Sequence, residues 1–267
     1  MSRTLPPLDL HAHIEPGIAP RQLEQLGAVV FAATRSANEF ERTIGRKDQV
    51  TTWGLGCHPG LAAAQAEYDA ERFADLMRRT PYLSEVGLDG AARTDMETQA
   101  SIFQSILRFA AQTHRIVSVH SKRATSETLD LVEESQAPGI VLHWWLGNQS
   151  ETQRAMRLGC MFSVNTGMSV ARLKEAGVPL SALLPETDHP AGNRKSSGPH
   201  QPGWTLDVED AVAAQYGVST EAVRQECWSN LAALVERLGL AEMFPAPVQA
   251  MLTAARGLST PRRDARG

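Results

Sequence analysis

Cysteine is scarce in this 267-residue chain: Cys57, Cys160 and Cys227 lie far apart and form no CxxC pair. That speaks against a thiolate zinc site and excludes a disulfide-stapled miniprotein, leaving reduced core thiols. No apolar run approaches the roughly 18 to 20 residues that a membrane helix needs. The opening MSRTLPPLDLHAH also lacks the apolar stretch of a secretory signal. A cytoplasmic protein without membrane contact is expected. Positive charge is not in excess either, since Lys+Arg 26 against Asp+Glu 30 gives a net charge of −4. A surface coated with cations for indiscriminate nucleic-acid binding is thereby disfavoured, although a local basic groove is not. Internal repeats and a second-domain boundary are absent. The remainder, 42% hydrophobic and 21% charged, is that of a soluble protein with enough chain to bury a large core.

What the chain does contain is an alternation. Short β-branched or apolar runs at 8–13, 28–35, 51–58, 82–88, 116–120, 140–145, 160–165 and 183–188 read as strands. Between them, segments such as 71–79, 96–114, 126–136, 150–158 and 170–176 repeat their apolar residues every three and four positions and read as helices. Eight such units imply a parallel α/β sheet closed into a single (β/α)8 TIM-type barrel, assigned to residues 1–256. The charged segment after Arg35, SANEFERTIGRKDQ, predicts only a short or irregular helix. A loop rich in Gly, Pro and Ser at 189–203 precedes a helical region at 205–240, and 257–267 reads as a disordered basic tail.

A barrel of this kind builds its active site at the C-terminal ends of its strands. Those ends carry His11 and His13, His58, Glu85, His120, His143 and the run Glu186-Thr187-Asp188. Residues i and i+2 of a strand share a side, so His11 and His13 can present two imidazoles to one centre. Imidazoles with a few carboxylates suit Zn²⁺, Mn²⁺, Fe²⁺ or Co²⁺, whereas an oxygen-only set favours Mg²⁺ or Ca²⁺. Four histidines, a Glu and an Asp exceed the ligand set of one catalytic zinc. Two divalent metal ions sharing a carboxylate follow, and Glu85, alone among the middle strands, is the candidate bridge.

The motifs LDLHAH, GCHPG, SEVGLD, VSVHSK, VLHWW and LPETDHP, in this order, resemble the signature of the TatD-type metal-dependent deoxyribonucleases of the amidohydrolase superfamily. The resemblance spans about residues 8 to 235 and includes Asn230 in the last helix. It implies one metal on His11, His13, Glu85 and Asp188 and a second on Glu85, His120 and His143, with Zn²⁺, Mn²⁺ or Mg²⁺ as the ions. It also places His58 against the substrate phosphate. Three departures edit the rim: His143-Trp144-Trp145-Leu146-Gly147 where the family has His-Cys/Phe-Phe-Ser-Gly, Gly90 where an aromatic commonly follows the Asp, and the loop DHPAGNRKSSGPHQPG. SEVGLDG and PETDHP look more like a subgroup encoded in bacterial anti-phage clusters of the Qat type, which would bring partner proteins of a defence operon.

The implied chemistry is hydrolysis of phosphodiesters in single-stranded or end-accessible DNA, in the manner of a 3'-5' exonuclease. A metal-activated water would attack, and Asp188 would act as general base beside Glu85. Arg194 and Lys195 in the eighth loop are candidates for flanking phosphates. Trp145 is the candidate for stacking on a base, with Trp204 a second. Each residue also has a plain structural role to set beside this one. Asp9 is as readily a buried structural carboxylate and is left out of the ligand set, Asp89 can cap the next element, and Cys57 is packing. Trp144 and Trp145 should face opposite ways, one to the core. An amidohydrolase, lactonase or phosphotriesterase could use the same cage, because the rim and not the barrel selects the substrate. A non-catalytic, metal-stabilised subunit of a defence complex is the remaining alternative.

Overall fold

The computed structural model describes residues 5–258. Eight strands follow one another in chain order: β1 (Leu8–Ala12), β2 (Val29–Ala33), β3 (Thr51–Gly56), β4 (Tyr82–Asp89), β5 (Ile116–Lys122), β6 (Ile140–His143), β7 (Met161–Val164) and β8 (Leu183–Pro185). Each pairs in parallel with the next, so the spatial order equals the sequence order. The seam between β8 and β1 is closed just beyond the end of β8. The N–H of Asp188 donates to the His11 carbonyl at 2.8 Å, and the N–H of His13 to the His189 carbonyl at 2.9 Å. β1 to β4 and β6 to β8 are buried along their whole length, because helices cover one face and the barrel interior fills the other, and this produces the near-continuous apolar runs of the sequence.

The helices are α1 (Pro20–Glu24), α2 (Ala37–Glu41), α3 (Ala62–Ala66), α4 (Ala70–Met77), α5 (Met96–Thr113), α6 (Thr125–Ser135), α7 (Gln149–Arg157), α8 (Val170–Glu175), α9 (Leu206–Tyr216), α10 (Thr220–Leu238) and α11 (Ala246–Leu258). Side-chain caps begin several of them. Asp69 accepts from the Arg72 N–H at 2.7 Å and Asp95 from the Thr98 N–H at 2.8 Å, which satisfies donors the helix itself leaves free. The charged segment after Arg35 forms only α2, capped by Ser36. The helical region at 205–240 divides in two at Gly217, whose left-handed backbone (φ +71°) ends α9. Gly257 and Leu258, expected in the tail, continue α11; residues 259–267 lie outside the described residues.

One apolar cluster packs the helices on the outside of the sheet. A second joins Leu8, Leu10, Phe31, Tyr82 and Leu184 to Trp228, Leu231 and Val235 of α10. Asn230 serves this packing, donating to the carbonyls of Leu180 and Leu183, both at 2.9 Å. No helix among the described residues is long and apolar enough to cross a membrane.

Candidate metal centre

Two irregular strands aim the side chains of the barrel mouth. In β1 the pairing with β2 runs Asp9 to Val30 and then Ala12 to Ala32, so one extra residue is accommodated around His11. In β4 the pairing with β5 jumps from Leu83–Val117 to Val86–Val119, and the extra residue falls at Ser84-Glu85. Such bulges bend a strand and redirect a side chain. Glu85 consequently takes a left-handed backbone (φ +47°), as do Trp144 (+41°) and Asp188 (+42°). These are three of the six non-glycine positive-φ residues among those described, and all three line one cavity of about 350 Å³. Backbone strain is thus concentrated at the mouth, where surrounding contacts must hold it.

Five imidazoles surround the Glu85 carboxylate. His13 Nε2 lies 2.6 Å and His11 Nε2 3.4 Å from Oε2; His120 Nδ1 lies 3.1 Å, His58 Nε2 3.2 Å and His143 Nε2 3.6 Å from Oε1. Asp188 Oδ1 is 3.7 Å from His13 Nε2. The far ring nitrogens decide what each histidine can do. His13 Nδ1 donates to the Ala33 carbonyl at 3.0 Å. His11 Nδ1 lies 2.8 Å from the Ser118 hydroxyl and 3.2 Å from the Tyr82 oxygen, whose own proton goes to the Leu10 carbonyl. His143 Nδ1 faces Glu186 at 3.5 Å, and His120 Nε2 faces Asp89 at 3.3 Å. Each of these four thus has a polar group facing its outer nitrogen, which leaves the inner nitrogen, once it gives up its proton, to present a lone pair as ligating histidines do. His58 is reversed. Its Nδ1 accepts from the Gly60 N–H at 2.8 Å, so Nε2 carries the proton and His58 is a donor toward the cavity.

The charge balance calls for cations. Burial opposes protonation of His13, yet Glu85 overrides it and pushes the ring up to about 9. His143 is likewise driven well above its ordinary range, against burial, by Glu186 and Glu85. Burial together with the neighbouring His143 pulls His11 down to about 4, and burial pulls His58 to about 4 despite Glu85. Glu85 stays ionised in spite of burial because of these imidazoles. Burial raises Asp188 to about 7, with His143 opposing and Glu85 reinforcing. A carboxylate that draws protons onto buried imidazoles is a place where a divalent ion on neutral imidazoles supplies the same charge. Three donor sets have ligand atoms within 4.8 Å of one another: His11, His13 and Glu85; His11, His143 and Asp188; His58, Glu85 and His120. Nitrogen and carboxylate donors of this kind fit a divalent transition ion.

A model of the family described as "TatD related DNase" matches residues 8–236. The chain belongs to this family. Human "Deoxyribonuclease TATDN3" is 24% identical over 261 residues, covering 86% of this chain and 95% of the human protein. "3'-5' ssDNA/RNA exonuclease TatD" of Klebsiella pneumoniae (strain 342) is 26% identical over 197 residues, covering 67% of this chain and 74% of that protein. Among solved structures, YJJV, a TATD homolog from Escherichia coli K12, superposes with a TM-score of 0.71 at 20% identity, over 85% of this chain and 97% of that one. It shares the barrel.

In this TatD-family chain the mouth gathers His11, His13, His58, Glu85, His120, His143 and Asp188. The sets differ from those the resemblance implies, and Asp188 is not grouped with His13 and Glu85. His143 stacks on His11, with ring centroids 4.2 Å apart, and groups with His11 and Asp188, while His58 takes its place beside Glu85 and His120. The rim differs more. Trp145 is 3% exposed, packs near Phe162 and donates to Thr152 Oγ1, so it is a core residue and lines no part of the cavity. Because β6 ends at His143 and the chain turns left-handed at Trp144, it is Trp144 that lines the cavity. Arg194 and Lys195 are exposed and do not line it either; Lys122 does. Lys122 was legible from the spacing rule used for His11 and His13, since it stands two residues beyond His120 on the same strand. Trp204 donates to Asp207 within the eighth loop. Asp9, wholly buried, accepts from the N–H groups of Thr187 and Gly203 and from the Thr187 hydroxyl, tying β1 to the eighth loop. Asp89 both accepts from the Ala91 N–H and faces His120, which holds its carboxyl down at about 2. Burial pushes the Cys57 thiol up to about 12, in keeping with packing.

Proposed function

We propose that this chain is a metal-dependent deoxyribonuclease that removes nucleotides from accessible single-stranded 3' ends in the cytoplasm. The observation that carries this reading is the cavity in which Glu85 lies among imidazoles with Asp188 at its edge, at the mouth of a TatD-family barrel. Its volume of about 350 Å³ is at the small end of ligand pockets and suits one nucleotide unit entering from a strand end. His11, His13, Glu85 and Asp188 would hold one ion and Glu85, His120 and His143 another, drawn from Zn²⁺, Mn²⁺ or Mg²⁺. Bound there, such ions acidify water and neutralise charge on the scissile phosphate.

The chain's own groups divide the remaining work. Asp188, a cavity-lining carboxylate whose Oδ1 lies 3.7 Å from His13 Nε2, takes up the proton of the attacking water and returns it to the leaving oxygen. His58 donates its Nε2 proton to a phosphate oxygen, and Gly60 holds the ring in that tautomer. Lys122, on the cavity wall, meets the next phosphate along the strand.

The test is degradation of end-labelled single-stranded DNA by purified protein with Mn²⁺ or Mg²⁺. Chelation and Asp188→Asn are each expected to abolish it, the latter with an unchanged melting temperature. Activity that survives Asp188→Asn refutes the role of Asp188, and turnover of lactones or dihydropyrimidines in place of DNA refutes the nuclease reading. The Qat-type motifs extend the proposal to anti-phage defence. There, protection against phage plaques in an operon context is expected to be lost with His11→Ala/His13→Ala, and protection that survives favours a non-catalytic subunit.

A further inference from the structure

We propose that Trp144 is the platform on which the base of the bound end nucleotide stacks. The proposal rests on the nuclease reading for the identity of the ligand and deepens it by naming what selects an unpaired end.

The five tryptophans separate cleanly. The indole N–H of Trp53 donates to Asp48, that of Trp145 to Thr152, that of Trp204 to Asp207 and that of Trp228 to the Pro6 carbonyl, at 2.8 to 3.1 Å. The Trp144 indole N–H donates to no described residue, and Trp144 lines the cavity together with His143 and Asp188. An indole held at a site with its polar edge unused presents a π-face and a donor to whatever enters. The cavity lining is also mixed in chemistry: imidazoles, carboxylates and Lys122 on the one hand, Trp144, Leu146 and Ala191 on the other. Phosphate and metal call on the polar groups and leave the apolar ones to a flat, apolar group. A nucleobase is such a group.

The ring is also built into place. Trp144 keeps a left-handed backbone, which a bulky residue adopts only when its surroundings enforce it, and its backbone N–H donates to Glu186 Oε1 at 3.2 Å. The same oxygen accepts from Asn165 Nδ2 at 2.8 Å, and Asn165 Oδ1 accepts from the Gly167 N–H at 2.9 Å. Gly167 is the seat of the indole, since a Cβ there would lie 2.8 Å from Trp144 Cζ2. One buried carboxylate thus holds both the Trp144 backbone and, through Asn165, the turn against which its ring packs.

The experiment measures binding rather than turnover. Short oligothymidylates, labelled internally and with phosphorothioate terminal linkages to slow cleavage, are offered with an intact or an abasic nucleotide at either terminus. Fluorescence anisotropy then gives the affinity of each. Wild type is expected to bind one intact terminus about tenfold more tightly than its abasic form, as a stacking contact provides. Trp144→Ala should erase that ratio while leaving the abasic affinity unchanged, and Trp144→Phe should retain most of it. Melting curves confirm that each variant folds. A Trp144→Ala protein that weakens both forms equally, or keeps the ratio, overturns the proposal, as does a wild type that binds neither form. Cleavage of unmodified oligonucleotides by wild type, assayed separately, distinguishes the two readings. Cleavage with no terminal discrimination sinks the platform alone, whereas discrimination that depends on Trp144 without any cleavage sinks the nuclease alone.

Discussion

Replacing Glu85 with glutamine tests the electrostatic logic of the centre directly. His13 Nε2 sits 2.6 Å from the Glu85 carboxylate and titrates at about 9, against an ordinary 6.5. The difference, about 2.5 pH units, corresponds to about 3 kcal/mol of preference for the protonated ring. Burial alone would lower the value, and Asp188 at 3.7 Å is the other carboxylate near this nitrogen. In Glu85→Gln the His13 midpoint is therefore expected at or below 6.5, read from ring ¹⁵N shifts in chelator-treated protein. The sign for stability follows from linkage. A histidine whose folded value is raised stabilises the fold fully below pH 6.5, and this contribution is lost as pH rises through 9. Metal-free wild type should thus melt progressively lower from pH 6.5 to 9, and Glu85→Gln should flatten that slope. Metal needs the neutral ring, so at pH 8 loading of wild type should expel about 0.9 proton from His13. A His13 midpoint in Glu85→Gln within half a unit of wild type would refute the reasoning.

Trp145→Ala should cost about 3 to 5 kcal/mol, as large aromatic truncations in a core do, and lower the melting temperature by roughly 10 °C; a loss under about 1 kcal/mol would return Trp145 to the rim. Gly87→Ala should destabilise by about 2 kcal/mol or more. It places a Cβ 2.1 Å from the His120 carbonyl oxygen at φ +135°, so metal affinity in calorimetry should fall with it. Unchanged binding would show that β4 and β5 can part without moving His120. Lys122→Gln should raise KM for oligonucleotides several-fold at constant kcat, while Arg194→Gln/Lys195→Gln leaves KM within about twofold; the opposite ranking moves the phosphate track to the eighth loop.

The alternation of apolar runs and the residue types at strand ends are local properties, so eight parallel strands and the cluster of His11, His13, Glu85, His120, His143 and Asp188 were readable without coordinates. The charge −4 was readable too, but not the fact that positive groups gather around a single carboxylate. Side-chain direction is where local reading stops. Strict alternation cannot decide which of Trp144 and Trp145 faces the cavity, because the strand ends at His143 and the backbone turns left-handed one residue later. Neither bulge is visible in composition or period, since each exists only relative to the partner strand, yet the bulge in β4 is what swings Glu85 into the mouth. The tautomer of His58 depends on the Gly60 N–H in a turn beyond the strand, and the burial of Trp145 depends on Thr152 one helix away. Residue type and period follow from covalent chemistry and chain geometry; which atom meets which, and therefore which group ligates, donates or stacks, is settled by packing against strands and loops distant in sequence.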